Sequence, residues 1–103
     1  MTRLEQLQQF YDQDPADPFN LYALGLEYQK SDVDQAAACF ESIIKTRPDY
    51  LAVYYTLGKL YIEMNKPGQA TPVFEAGIEQ ARRQQATKVM RELKSALDEL
   101  LFD

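Results

Sequence analysis

The chain of 103 residues has no histidine, no tryptophan, one cysteine and only four glycines. Each scarcity closes a class of function. Without an imidazole there is no Cys–His or Ser–His nucleophile pair and no zinc site built from histidine. The lone Cys39 cannot join an internal disulfide, which fits a reducing compartment. It lies in Ala36-Ala37-Ala38-Cys39-Phe40, where a small thiol packs as an alanine or valine does. The glycines stand singly, so no loop is rich enough in them to cradle a phosphate. No stretch of about 18 apolar residues occurs, and Met1–Phe10 has no apolar leader core. The expectation is a cytoplasmic protein with no membrane segment, unless the chain is a fragment of a longer one.

Positive charge is also scarce in the front half. Residues 1–51 carry four basic and nine acidic side chains, and residues 52–103 carry seven of each. A net charge of −5 repels phosphate backbones, so nucleic acid is not an expected partner. Arg82, Arg83, Lys88, Arg91 and Lys94 gather late in the chain. Glu92 interrupts them and no aromatic residue interleaves, so they read as a solvated helix face rather than a nucleic-acid patch. The run Asp12-Gln13-Asp14-Pro15-Ala16-Asp17 invites a calcium loop. It has Asp17 and Ala23 where an EF-hand needs glycine and glutamate, and helix-end capping accounts for the aspartates. No constellation for catalysis remains; no enzyme, metal or cofactor is expected.

What the chain does have is helix formers, with apolar residues at helical spacing and proline between the segments. Leu4, Leu7, Phe10 and Tyr11 mark a first amphipathic helix, ended by the aspartate- and proline-rich run. Asp17 before Pro18 reads as N-cap and first helical residue, opening a helix to about Lys30. A turn at Ser31-Asp32-Val33-Asp34 leads to a third helix that stops before Pro48. Asp49 is the expected N-cap of the fourth. Asn65-Lys66-Pro67-Gly68 forms the next turn, with Asn65 suited to the left-handed conformation that ends helices. Pro72 either lies inside the fifth helix or starts it behind Thr71. No glycine or proline separates that helix from a last one, about Gln84 to Phe102.

The segments repeat. Leu24-Gly25 and Tyr28 recur 33 residues later as Leu57-Gly58 and Tyr61; Ala36 and Phe40 recur 34 residues later as Ala70 and Phe74. A helix–turn–helix period near 34 residues is a repeat signature. The Leu-Gly-x-x-Tyr runs at 24–28 and 57–61, with the downstream alanines, phenylalanines and Pro48, resemble the tetratricopeptide-repeat family. Leu21 and Tyr54 stand where that family favours tryptophan, Ile43 and Gly77 where it favours alanine, and Arg82 where it closes on proline. The resemblance implies an all-α array of helical hairpins in a short right-handed superhelix. It forms one domain over residues 1–103: a capping helix at 2–13, repeat one at 18–48, repeat two at 49–82 and a capping helix at 84–102. Gly25, Ala36, Gly58 and Ala70 would let helices approach closely, while Tyr28, Phe40, Tyr61 and Phe74 fill the space between successive hairpins.

The resemblance also implies a use. In the family, the front helices line a concave groove that holds peptides of partner proteins. Rotating about 100° from the core face of the first front helix exposes Phe19, Tyr22, Leu26 and Gln29, with Lys30 alongside. The second offers Ala52, Tyr55, Lys59 and Ile62. Chaperone-binding relatives clamp a terminal carboxylate with basic residues here; Tyr22, Leu26, Tyr55 and Thr56 leave only Lys59 for that role. The groove instead suits an apolar peptide or an amphipathic helix of a protein partner. Against this stands a groove filled by the chain's own terminal segments. The last helix carries Val89, Met90, Leu93, Leu97, Leu100 and Leu101, a stripe broader than one neighbour needs. It reads equally as a homodimer seam through Val89, Leu93, Leu97, Leu100 and Leu101 or as a cap covering two helices.

Overall fold

A computed structural model describes residues 1–102. Six helices account for almost all of them: α1 (Arg3–Gln13), α2 (Pro18–Tyr28), α3 (Val33–Thr46), α4 (Ala52–Glu63), α5 (Pro67–Arg83) and α6 (Thr87–Phe102). They form two compact units, Met1–Tyr50 and the chain from Leu51 onward.

Local chemistry sets most of the helix ends. Thr2 and Glu5 form a reciprocal capping box: the Glu5 N–H donates to Thr2 Oγ1 at 3.1 Å and the Thr2 N–H to Glu5 Oε1 at 2.9 Å. Asp17 accepts from the Phe19 N–H at 3.0 Å, and Pro18 sits just inside the helix. Asp32 caps α3 by accepting from the Gln35 N–H at 3.1 Å. Asn65 takes the expected left-handed conformation, φ 61°, between α4 and α5.

One local expectation differs from the fold, and two points left open by the sequence are decided in it. Asp49 does not cap α4. That helix starts behind Leu51 with no side-chain cap, and the Asp49 carboxylate faces the Arg47 guanidinium at 3.2 and 3.3 Å. Pro72 starts nothing, because Pro67 holds the first helical position and Pro72 lies within α5. The α5–α6 junction is made by Gln85 at φ 57°, a left-handed residue that is neither glycine nor asparagine.

In the first unit, Leu7 of α1, Leu24 of α2 and Cys39 of α3 are buried together, with Leu4, Tyr11, Leu21 and Tyr28 packed against them. The α1–α2 turn is tied down by Asn20, whose side-chain amide donates to the Asp14 carbonyl at 3.1 Å and the Phe10 carbonyl at 3.3 Å. Phe40 is fully buried over Gly25, where an added Cβ would stand 2.5 Å from the ring. The second unit repeats the device with Phe74 over Gly58. Both phenylalanines therefore fill a notch inside their own hairpin. A glycine removes the one carbon that would hold the helices apart, and each ring gains dispersion contacts on that side.

The second unit adds a third helix to its hairpin. A Cβ at Gly77 of α5 would meet Tyr54 Cβ of α4 at 2.6 Å and Leu93 Cδ1 of α6 at 3.0 Å, so three helices converge on one glycine. In this unit Val53, Tyr54, Leu57, Leu60, Ala81 and Leu93 are all at most 1% exposed. Burying a side chain of this size stabilises by about 1.5–3 kcal/mol. The surplus apolar stripe of α6 is thus partly spent here: Leu93 is core, Val89, Met90, Leu97 and Leu100 are half-buried, and only Leu101 and Phe102 are open, at 54% and 82%.

Candidate binding surface

The α2 stripe in the first unit lines a cleft of about 300 Å³ with α1. Phe19, Tyr22 and Leu26 supply its apolar wall, Leu7 part of the opposite one, and Arg3 and Lys30 its basic rim. Phe19 is 60% and Leu26 39% exposed, so this apolar surface faces solvent. Asp17 and Pro18 hold the first turn of α2, which positions Phe19; the buried pair Leu24–Gly25 fixes the opposite face of the helix. Lys30 bonds Glu27 at 3.0 Å one turn away.

The expected groove residues of this unit are not equivalent. Tyr22 is half-buried, its ring edge-on to Tyr50 with centroids 5.5 Å apart and tilted against Phe40 at 5.7 Å. It holds the unit together as well as lining the cleft. The Tyr50 hydroxyl is pushed above the ordinary phenol range by burial, then by Tyr22 and Asp17. Gln29 ends α2, its N–H bonded to the Gly25 carbonyl at 3.1 Å, and does not line the cleft. Arg3 and Leu7 join it from α1, a wall that helical spacing within α2 alone cannot reveal.

In the second unit, the α4 stripe of Tyr55, Lys59 and Ile62 faces α6. Two adjoining clefts of about 420 Å³ each run between the helices and share Ala96 and Glu99. Tyr55 stays 43% exposed, with the Lys59 ammonium 6.0 Å over its ring, a cation–π arrangement. The α6 wall is Glu92, Ser95, Ala96, Glu99 and Leu100, which recur at the spacing of one helix face. Sequence reading assigns α6 an apolar stripe and a solvated charged face, with no wall of a cleft. The 92–95–99 spacing carried the signal for the polar wall, but nothing in it said which neighbour that wall would meet.

No cysteine lines these clefts. Cys39 lies away from them in the core, and burial raises its thiol above the ordinary range, so it stays protonated at neutral pH. Among the described residues no helix is long and apolar enough to cross a membrane.

Comparison with known proteins agrees with the geometry. The tetratricopeptide repeat family profile matches residues 27–98. A solution NMR structure of a tetratricopeptide repeat domain protein from Salinibacter ruber is 40% identical, with a TM-score of 0.81 over 85% of this chain and 90% of that one. A crystal structure of a tetratricopeptide repeat domain protein from the same organism is also 40% identical, with a TM-score of 0.75 over 82% of this chain and 96% of that one. No curated protein matches.

Proposed function

Since the chain belongs to the tetratricopeptide-repeat family, whose domains serve protein–protein interaction, we propose that it binds a peptide or amphipathic helix of a partner protein and performs no chemistry itself. The observation that carries this reading is the solvent-facing apolar surface of the front helices: Phe19 and Leu26 in the first unit, Tyr55 in the second. Exposed apolar side chains gathered beside clefts mark interaction surfaces, and aromatic rings there gain buried area when a partner covers them. The partner contacts are Phe19, Tyr22, Leu26, Tyr55, Lys59 and Ile62, with Gln29 at the margin. The reading includes a cytoplasmic setting, which the single buried cysteine supports.

A second reading is self-assembly through α6, favoured by the exposure of Leu101 and Phe102. Its seam is Val89, Leu97, Leu100 and Leu101, without Leu93, which is enclosed in its own unit.

Photo-crosslinking separates the two. A benzoylphenylalanine at position 19 or 55 should crosslink a different polypeptide in the native cell, and one at the exposed Glu75 of α5 should not. Crosslinks confined to a species of twice the chain mass favour self-assembly. Equal crosslinking at all three positions, or none at 19 and 55, would sink the binding reading.

A further inference from the structure

The α4–α6 cleft is apolar along its floor and acidic along one wall. Ala96, 7% exposed, with Leu100 and Ile62, forms the floor. Glu92 and Glu99 stand on the α6 side, seven residues apart and therefore roughly 10 Å along the helix axis on one face. Neither carboxylate has an ion-pair partner among the described residues. The one ammonium lining the cleft, Lys59, is drawn over the Tyr55 ring. Of the remaining cations of α6, Lys88 and Arg91 lie one turn before Glu92 and Ser95 without lining the cleft, and Lys94 falls on the side rotated away.

Resting on the proposed function, we infer that this cleft takes a cationic amphipathic helix of a partner protein. Its apolar residues lie on Ala96, Leu100 and Ile62, and lysines or arginines two turns apart reach Glu92 and Glu99. Two carboxylates beside an apolar floor select such a helix and reject an acidic one, because a like charge brought against either is left uncompensated as water leaves. The two-turn separation of the acids matches the seven-residue repeat of a helix laid alongside.

The probe is a synthetic peptide of leucine and lysine, roughly 18 residues long and so beyond the length at which isolated helices are marginal, with the leucines on one face. Its partner probe replaces every lysine with glutamate. Titration calorimetry should show binding of the lysine peptide only. Glu92→Gln with Glu99→Gln should weaken it about three- to tenfold, the range for two partly exposed charge pairs. Glu92→Lys with Glu99→Lys should transfer preference to the glutamate peptide. Asp34→Asn with Glu75→Gln, the same charge change elsewhere, should leave affinity unaltered. Equal binding of both peptides, or tighter binding of the glutamate peptide, overturns the charge assignment while leaving partner binding intact. An equal loss in the Asp34/Glu75 variant, or no loss in the Glu92/Glu99 one, overturns the site. Binding of neither peptide by a chain that still crosslinks a partner at position 55 overturns the choice of occupant alone.

Discussion

Gly58→Ala is the substitution on which the packing account can be tested most severely, because helix propensity and packing predict opposite signs. In an unconstrained helix interior, alanine is favoured over glycine by about 1 kcal/mol. At Gly58 the new methyl would stand 2.6 Å from Phe74 Cζ and 2.7 Å from Cδ1. Carbon atoms prefer about 3.5–4.0 Å, so the ring must move by close to an ångström. Phe74 is 0% exposed and has no solvent to move into. Overpacking of this kind costs about 1–3 kcal/mol, and three crowded ring atoms place it in the upper part of that range. The net is a destabilisation of about 1–2 kcal/mol, or a melting temperature lower by roughly 5–15 °C for a chain of this size. Gly68 is the internal control: nothing lies within 4 Å of its would-be Cβ, so alanine there should be neutral or stabilising by up to about 1 kcal/mol. Urea and thermal melts followed by circular dichroism give both numbers. Adding Phe74→Leu to Gly58→Ala should cost less than the two single effects together, since a smaller side chain vacates the notch. A Gly58→Ala chain that melts at or above the parent temperature refutes the reasoning.

Two further predictions concern helix ends. Gln85→Gly should stabilise by about 1 kcal/mol in a urea melt, because φ 57° strains a residue with a Cβ and suits glycine; Asn65→Gly should gain less, asparagine being tolerant of that conformation. Acid should loosen the first unit. Glu5 titrates below its ordinary 4.5 because the Thr2 backbone and hydroxyl bond its carboxylate, and Asp49 below its ordinary 3.8 because of Arg47 and its own backbone. The stability both lend is complete above those ordinary values and is withdrawn as pH falls through the lowered ones. Glu5→Gln should flatten that acid limb in a pH series of urea melts, and an unchanged limb in a chain carrying both Glu5→Gln and Asp49→Asn contradicts the assignment.

The helices were legible because apolar spacing and proline say the same thing in each segment. Asp17 with Pro18 announces α2, and Asn65 announces the end of α4, since each residue type has an intrinsic preference for the conformation it takes. Gln85 has none. Its left-handed turn is imposed by the need of α5 and α6 to meet at Gly77, a tertiary demand that no local signal carries. Asp49 shows the reverse failure: a good capping residue stands two places before the actual N-cap, Leu51, and faces Arg47. The glycine–phenylalanine notches were half legible. The 33- and 34-residue recurrence tied Gly25 to Gly58 and Phe40 to Phe74, but not each ring to the glycine of its own hairpin. The exposed surface divides in the same way. Helix geometry singles out Phe19, Leu26 and Tyr55, while the partners across the clefts, Arg3 on α1 and Glu92 and Glu99 on α6, depend on how separate helices pack.

The central claim is that the front-helix stripe receives a partner segment, and the most direct measurement is a two-dimensional amide NMR titration of the intact chain with the leucine–lysine and leucine–glutamate peptides. The account predicts shifts gathered at Tyr55, Lys59, Ile62 and the 92–99 face of α6, or at Phe19 and Leu26, with the exposed residues of α3 and α5 left in place. Shifts gathered instead on the Asp34–Ala38 or Glu75–Ala76 surfaces would contradict it.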